Sequence, residues 1–383
     1  MLRHSRYALA ALVALCLALV VAACGSDEGG SGTTASGDAK GVERPRVGIV
    51  LHYTAIDYFK RFIVGAEDGA AAADGEVVIT GTPTPDPPAG VRMFRDLASD
   101  VRDGIGVIAS PPDFWVRPLQ DVADQGEPLL ATVEPPAEGS RTLTTFIGDN
   151  GFQSGATLVD AIARLAPDPD RAGVIVIGTG DPAIATFINR IAGMRSVIEE
   201  QFPNAEVVVQ TVGFEPTKNL ATWQELFRKY GDEAIAFLAD GEHSGSNLAK
   251  TARKLPGDYQ VGLVDMDVPT AEGIRAGDIQ VAIGGVPYLR GYLTGRMLAQ
   301  AAKDGVEYPK GWVDVCCEVA TQENIDGILE RLNDVDAMRA YYAPYMDRAF
   351  ADLATIPIKP LEQVYEELPP PTEPNPWVTP PGS

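Results

Sequence analysis

The chain has 383 residues, 45% of them hydrophobic, which is enough for two or three folded domains of ordinary size. Its 31 basic and 53 acidic side chains give a net charge of −22 at neutral pH. Such an acid excess disfavours a general nucleic-acid-binding protein and docking to anionic lipid, because both depend on basic groups that face phosphates.

The first 23 residues have the pattern of a secretory signal peptide. Two arginines precede 16 unbroken apolar residues (8–23), a run shorter than the roughly 20 residues of a membrane-spanning helix. The run ends in Val21-Ala22-Ala23-Cys24, which resembles a bacterial lipobox and implies cleavage before Cys24 and lipidation of that cysteine. Residues 24–42 are rich in small and polar residues and are predicted to form a flexible linker. We therefore expect an extracytoplasmic protein that is anchored to the cell membrane by lipid.

From residue 46 onward, short apolar runs alternate with amphipathic stretches. Strands are predicted at 46–51, 76–80, 104–109, 128–133, 173–177, 205–210, 234–238, 259–264 and 278–283. Helices are predicted at 57–73, 91–102, 114–124, 151–165, 183–200, 217–230, 243–254 and 270–276. The pattern breaks near 145–150 and then restarts. This alternation predicts two α/β lobes, each built on a parallel sheet with right-handed crossovers.

Two cysteines remain for the folded body, Cys316 and Cys317, because the other two lie in the leader and at the lipobox. Neighbouring residues on a strand point to opposite faces, so an ordinary bridge between them is difficult. We expect two small, mostly buried side chains; a strained vicinal disulfide or a metal site is the alternative.

Polar and aromatic residues follow the predicted strands at their carboxyl ends, where open parallel sheets bind ligands. They include His52, Glu134, Phe214, Asp240 and Asp265. Aromatic faces cover apolar ring surfaces, and charged groups make strong hydrogen bonds. This mixture suits a small polar ligand rich in hydroxyl groups.

Several motifs in the second half of the chain are more specific. Asp265 is followed by a turn at Arg275-Ala276-Gly277 and by Pro287-Tyr288-Leu289-Arg290-Gly291-Tyr292. Together with Gly65–Ala70 and Thr321–Asp326, they make residues 46–325 similar to the sugar-type periplasmic binding proteins, the ribose/galactose-binding family of ABC transporters.

This resemblance implies an α/β type I periplasmic binding protein. Such a protein has two Rossmann-like lobes with parallel sheets, joined by a three-stranded hinge and closing on a ligand held between them. The N-terminal lobe is expected at 43–147 plus 285–311, and the C-terminal lobe at 148–284 plus 312–326. The partners implied are a small solute such as a sugar and an ABC transporter permease, with the chain acting as a monomer and without cofactor or metal.

The resemblance also implies ligand-binding residues. Phe59 and Phe214 match aromatic residues that stack on a sugar ring, and Arg190 and Asp265 match groups that bind sugar hydroxyls. The expected set is completed by the residues beside these or at equivalent strand ends: His52, Tyr58, Glu134 and Asp240.

Two positions depart from the family pattern. Pro135 stands where the family often has arginine, and Gly285 where it often has glutamine. Both departures remove hydrogen-bond donors, and a site built to pair a ligand hydroxyl rejects analogues that lack it. They leave open a ligand other than ribose or galactose, including a solute that is not a sugar.

An enzyme is the main alternative of a different class. Gly178, Gly180 and Ala183 mimic a dinucleotide-binding fingerprint, but the next strand ends in Gln210 and not in an acid for the ribose hydroxyl. A Ser–His–Asp set around Ser244 lacks a nucleophile elbow, and no metal-ligand spacing occurs. A second alternative keeps the fold and presents the ligand to a membrane sensor.

Residues 327–383 extend beyond the usual family length. Val335–Ala354 carries an apolar stripe at helical spacing, which we expect to pack on the body of the protein. Residues 368–383 are rich in proline and are expected to be extended, with disorder at the end.

Overall fold

The computed structural model describes residues 41–52 and 54–379. The predicted leader, the lipidation of Cys24 and nearly all of the predicted linker lie outside these residues. Within the described part of the chain, no helix has both the length and the apolar character needed to cross a membrane.

Two six-stranded sheets organise the described chain. The first sheet has the order β11-β5-β4-β3-β1-β2 and the second β12-β10-β9-β8-β6-β7. Every pairing is parallel except β10 with β12. The strands are β1 (Arg46–Leu51), β2 (Glu76–Gly81), β3 (Ile105–Val107), β4 (Leu129–Thr132), β5 (Thr145–Gly148), β6 (Gly173–Thr179), β7 (Ala205–Thr211), β8 (Ala234–Ala239), β9 (Gln260–Val264), β10 (Val281–Gly284), β11 (Gly311–Asp314) and β12 (Glu318–Ala320).

Helices connect the parallel strands and bury their apolar stripes against the sheets. They are α1 (Asp57–Ala71), α2 (Pro87–Asp100), α3 (Pro112–Ala123), α4 (Gly151–Leu165), α5 (Ala185–Gln201), α6 (Pro216–Tyr230), α7 (Gly245–Lys254), α8 (Val268–Ala276), α9 (Pro287–Asp304), α10 (Ile325–Asn333) and α11 (Val335–Ala349). Two parallel sheets covered by helices confirm the predicted fold class.

Three segments of the chain cross between the sheets. They follow β5 at Asp149-Asn150, β10 at Gly285-Val286, and β11 at 315–317. The expected lobe boundary at 311/312 differs from the structure, because β11 pairs with β5 in the first sheet. The third crossing therefore begins after Asp314. Strand β5 does not stand out in the sequence pattern, because Phe146 and Ile147 are its only large apolar residues and two threonines precede them.

Helices α1 and α9 pack in direct backbone contact. A Cβ atom at Gly65 would lie 2.0 Å from the carbonyl oxygen of Tyr288, and one at Gly291 would lie 1.9 Å from that of Phe62. Only glycine permits this approach, so the two helices form one rigid layer on the first sheet.

The C-terminal extension is part of the folded body. Helix α11 places Met338, Tyr342 and Met346 in the hydrophobic core of the first lobe, which confirms the expected packing. The expected disorder of the proline-rich end is wrong for the described residues, since Trp377 and Val378 are buried in the same core. Burial of the apolar Trp377 and Val378 side chains stabilises the packed segment, which its proline content alone does not predict.

The extension also contacts the crossings. At the first crossing, the Asn150 side chain donates to the carbonyl groups of Gln363, Val364 and Glu366. At the third crossing, the Asn375 side chain donates to the carbonyl groups of Asp314 and Cys316.

Cys316 and Cys317 are joined as a disulfide between adjacent residues. We expected two separate side chains because neighbours on a strand point apart. The two cysteines lie in the irregular crossing between β11 and β12, where that alternation does not apply.

Candidate functional site

A small cavity lies between the carboxyl ends of the two sheets. Both lobes supply its walls: His52, Ile56, Tyr58, Phe59, Val133, Glu134 and Arg290 from the first, and Ile184, Thr186, Phe187, Arg190, Gly241, Glu242, His243 and Asp265 from the second. The structure thus brings together six of the predicted site residues: His52, Tyr58, Phe59, Glu134, Arg190 and Asp265.

A network of two arginines and two aspartates forms the polar floor. Arg190 on α5 donates to both carboxylate oxygens of Asp265, at 2.7 and 3.4 Å, and lies 3.6 Å from Asp149. Arg290 on α9 lies 2.5 Å from the other oxygen of Asp149 and donates to the Tyr58 hydroxyl at 2.9 Å. Burial acts to raise the pKa of Asp149, but the two guanidinium groups hold that pKa down at about 2. The four charges therefore compensate one another.

Strand ends with a left-handed backbone aim residues into the cleft. Val133 after β4, Asp265 after β9 and Val286 after β10 have φ angles of 66°, 65° and 41°. This conformation is unfavourable for residues with a Cβ atom, most of all for the β-branched valines, and such strain concentrates at functional sites. Here it turns the chain sharply, so that Asp265 faces the cavity.

The absence of a side chain at Gly285 has a steric reason. A Cβ atom there would lie 1.9 Å from Oδ1 of Asp265. The carboxylate of Asp265 occupies the space that a glutamine would need, so no donor at position 285 is compatible with this arrangement.

Three further carboxyl groups lie in or beneath the cavity. Burial raises the pKa of Glu134 to about 7, that of Asp240 to about 7 and that of Glu242 to about 8. Burial also lowers the pKa of His52 and of His243 to about 3, so both imidazoles are neutral at pH 7. The cavity is therefore rich in carboxyl groups whose charged form is disfavoured by burial.

Hydrogen bonds join the two lobes across the cleft. Thr186 on α5 donates to Glu134 at 2.6 Å, and the backbone N–H of Tyr58 donates to Glu242 at 3.2 Å. Arg61 on α1 donates to the carbonyl group of Met266 at 3.3 Å. These bonds connect elements of different sheets, so the structure represents a closed cleft.

Phe214 and Asp240 sit differently from the expectation. Phe214 is not among the cavity walls; it packs on His243 and Phe187 with ring centroids 5.1 and 6.2 Å away. Phe187 provides the aromatic wall instead. Asp240 is fully buried beneath the cavity, where it accepts from the backbone of Gly180 and lies 3.6 Å from the His243 ring nitrogen.

The residues that were not predicted include two charged wall residues, one buried aspartate and one aromatic wall residue. Arg290 lies within the motif that starts at Pro287, and Glu242 comes two residues after Asp240, so both were within reach of the sequence argument. Asp149 follows a strand that was not recognised. Phe187 lies inside a predicted helix, and no sequence signal marks it as facing the cleft.

Comparison with known proteins gives consistent results. Residues 47–306 match the family described as periplasmic binding protein domain. The xylose/arabinose-binding protein XylF of Sulfolobus acidocaldarius is 24% identical over 299 residues, which are 74% of this chain and 73% of that protein.

Solved structures share the fold. A solute-binding protein of an ABC transporter from Agrobacterium vitis, bound to α-D-tagatopyranose, superposes with a TM-score of 0.66 at 19% identity, covering 75% of this chain and 98% of that one. A second, from Burkholderia graminis in complex with D-arabinose, gives 0.65 at 22% identity with the same coverage. Nearly the whole of each relative is matched while a quarter of this chain is not.

Proposed function

Because the chain belongs to the periplasmic binding protein domain family, we propose that it captures a monosaccharide-sized polar solute in its cleft and delivers it to an ABC importer. The observation that carries the proposal is the cavity itself, whose walls come from both lobes and whose polar groups bond across the cleft. A ligand held there contacts both lobes at once and stabilises the closed form.

The site residues have complementary roles in this proposal. Phe59 and Phe187 offer ring faces from opposite lobes to the apolar surface of a sugar ring. Arg190 and Asp265 offer a donor and an acceptor held rigid by their mutual ion pair. The site binds and orients; the proposal includes no chemical step on the ligand.

The names of the relatives support a sugar ligand. The similar proteins above are named for, or bound to, xylose, arabinose and tagatose. The cavity has a volume of about 50 Å³, room for only a few water molecules, so the cleft must open to admit a sugar ring.

We extend the proposal to location and assembly. Lipidation of Cys24 would hold the protein outside the cytoplasm at the membrane, where a monomer presents its closed lobes to the permease. Metabolic labelling with a fatty acid, followed by mass spectrometry, tests the anchor. Label on the full chain and none on a Cys24→Ala variant is the expected result; equal label on both contradicts it.

Thermal unfolding of the purified full-length protein against pentoses, hexoses, amino sugars, disaccharides, polyols and nucleosides tests the binding function. A ligand at about 1,000 times its Kd adds roughly 4 kcal/mol, which raises Tm by several degrees. We expect the increase with monosaccharides, its loss in Asp265→Asn, and its retention in Glu67→Ala, which alters an exposed acid of α1. An increase with none of the compounds would refute the proposal.

A further inference from the structure

The cavity contains more acid than its own bases can balance. Arg190 and Arg290 are the arginines among its walls, and both are engaged by Asp265 and Asp149. Those two pairs leave no net positive charge for any other carboxylate in the cleft.

Three carboxyl groups remain beyond this balanced set. Glu134 accepts from the Thr186 hydroxyl, Glu242 from the Tyr58 backbone and Asp240 from the Gly180 backbone. In the described chain, none of the three forms an ion pair with a lysine or arginine. Among the described residues, Oδ2 of Asp240 and Oε2 of Glu242 are buried and have no hydrogen-bond partner.

The surrounding groups do not supply the missing positive charge. Arg61 favours the ionised form of Glu242 but forms no ion pair with it and donates to the Met266 carbonyl group. The His243 side chain is 5% exposed, and its Nε2 atom also has no hydrogen-bond partner. Burying a carboxylate without a counter-charge costs several kcal/mol, so the free site favours protons on these acids.

We propose that the ligand is an amino sugar whose protonated amine binds in this cavity beside the uncompensated carboxyl groups, Glu134 on the wall from the first lobe and Glu242 on the wall from the second. The sugar part of this inference rests on the proposed function. The amine supplies the positive charge that the cavity lacks, through charge-assisted hydrogen bonds to an acid on each side. Because the two acids belong to different lobes, the same contacts draw the cleft closed.

A neutral sugar satisfies the site only in part. Its hydroxyl groups can donate to the open carboxylate oxygens, but they bring no charge, so Glu134 and Glu242 must bind protons to remain buried. The affinity for an amino sugar should therefore exceed that for the matched neutral sugar at pH 7.

Isothermal titration calorimetry of the full-length protein at pH 7 tests the inference with matched ligands. Glucosamine and galactosamine are compared with glucose and galactose, and with N-acetylglucosamine, in which the amine is capped and uncharged. We expect the amines to bind at least about tenfold more tightly than the uncharged sugars, the effect of one charge-assisted bond.

Charge-removing variants locate the amine. Glu134→Gln and Glu242→Gln should each reduce the affinity for the amino sugar at least about tenfold and affect neutral sugars much less. Glu67→Gln, on an exposed face of α1, should leave all affinities unchanged. Circular dichroism confirms that each variant is folded.

The outcomes separate the two proposals. Neutral sugars that bind as tightly as the amines overturn the amino-sugar inference and leave the proposed function standing. A preference for the amines that survives both glutamine variants also overturns it, because the amine would then bind elsewhere. No binding of any sugar, charged or neutral, refutes the proposed function and this inference together.

Discussion

Arg290 is a residue on which both the fold and the site depend. Its side chain is 2% exposed, and it connects α9 to Asp149 at the first crossing and to Tyr58 on α1. Arg290 therefore positions a wall of the cavity while it compensates a buried acid.

Replacing Arg290 by methionine should destabilise the protein strongly. The change leaves the Asp149 carboxylate with Arg190 alone, 3.6 Å away, and removes a donor to Tyr58. Breaking a buried ion pair from one side costs about 3–5 kcal/mol of unfolding free energy, measurable by urea denaturation. Arg46→Met is the matched control, because Arg46 pairs with Glu76 and Asp100 on the exposed surface. An equal loss in both variants would show that burial does not govern the effect.

The buried acids predict how the stability of the ligand-free protein depends on pH. Burial raises the pKa of Glu134 to about 7. The hydrogen bond from Thr186 and the charges of Arg190 and Arg290 act to lower this pKa, and the charge of Asp149 acts to raise it. A raised carboxyl pKa means that the folded state binds the proton more tightly than the unfolded state. The contribution of Glu134 to the free energy of unfolding is therefore fully present below about pH 4.5 and is lost as the pH rises through about 7.

We accordingly expect the urea midpoint of the ligand-free protein to fall between about pH 6.5 and 8, above the range in which the neutral buried imidazoles of His52 and His243 act in the opposite direction. Asp240 and Glu242 contribute in the same direction, and Glu134 alone contributes on the order of 3 kcal/mol. Glu134→Gln should flatten the profile, whereas Glu67→Gln should not. A midpoint that rises over this range would contradict the burial of uncompensated acids.

Among the elements, the pair α1 and α9 depends on close backbone contact. Gly65→Ala places a Cβ atom 2.0 Å from a carbonyl oxygen, and neither helix can move away without disturbing the first sheet. We expect a loss of about 3 kcal/mol or more, comparable to severe overpacking of a core. Thermal unfolding measures the change.

Gly327 provides the control for this helix pair. It lies in α10, and a Cβ atom added there would meet no other atom within 4 Å, so alanine should stabilise the helix by up to about 1 kcal/mol. Opposite signs for Gly65→Ala and Gly327→Ala are the expected result. A neutral Gly65→Ala variant would show that the helices do not pack this closely.

The sequence was sufficient for the elements whose apolar pattern is strong. Helix α4 was predicted with its observed bounds, and the strands β1, β6 and β8 within two residues. Strand β5 was missed because its apolar run is only Phe146-Ile147, and Asp149 was missed with it. The burial of Trp377 could not be foreseen, because it depends on a surface that only the assembled first lobe presents.

The sequence likewise predicted only part of the candidate site. Asp265 and Arg190 could be named from their motifs, and Glu242 could not be separated from its polar neighbours. Whether a carboxylate has a counter-charge depends on distances across the cleft, which no local pattern records. Phe187 lines the cavity in place of Phe214 because the rotation of α5 decides which of its residues face the cleft, and Phe214 lies in the loop between β7 and α6.

At the scale of the whole molecule, the C-terminal extension ties the lobes together. Gln153 on α4 donates to Pro369, while Tyr365 donates to Pro136 in the first lobe. With the contacts of Asn150 and Asn375, the segment 361–379 holds the first and third crossings. A hinge motion that opens the cleft must stretch or break some of these bonds.

A chain that ends at Pro360 should therefore open further than the full chain. By small-angle X-ray scattering, the ligand-free truncated chain should have a larger radius of gyration than the ligand-free full chain. This difference between the two chains should shrink at saturating ligand. Ligand affinity should fall by about three- to tenfold, because a smaller fraction of the free protein is near the closed form.

The truncation also exposes apolar surface, since Trp377 packs 5.0 Å from the Tyr345 ring. Asn150→Ser and Asn375→Ala therefore serve as second variants. Asn150→Ser removes the donor to the extension, and serine can still cap α4. Asn375→Ala removes the donor to the third crossing. Both variants leave the apolar contacts of the extension in place. Both should shift scattering and affinity in the direction of the truncated chain. If all three variants match the full chain in both measurements, the extension supports the fold without restricting the hinge.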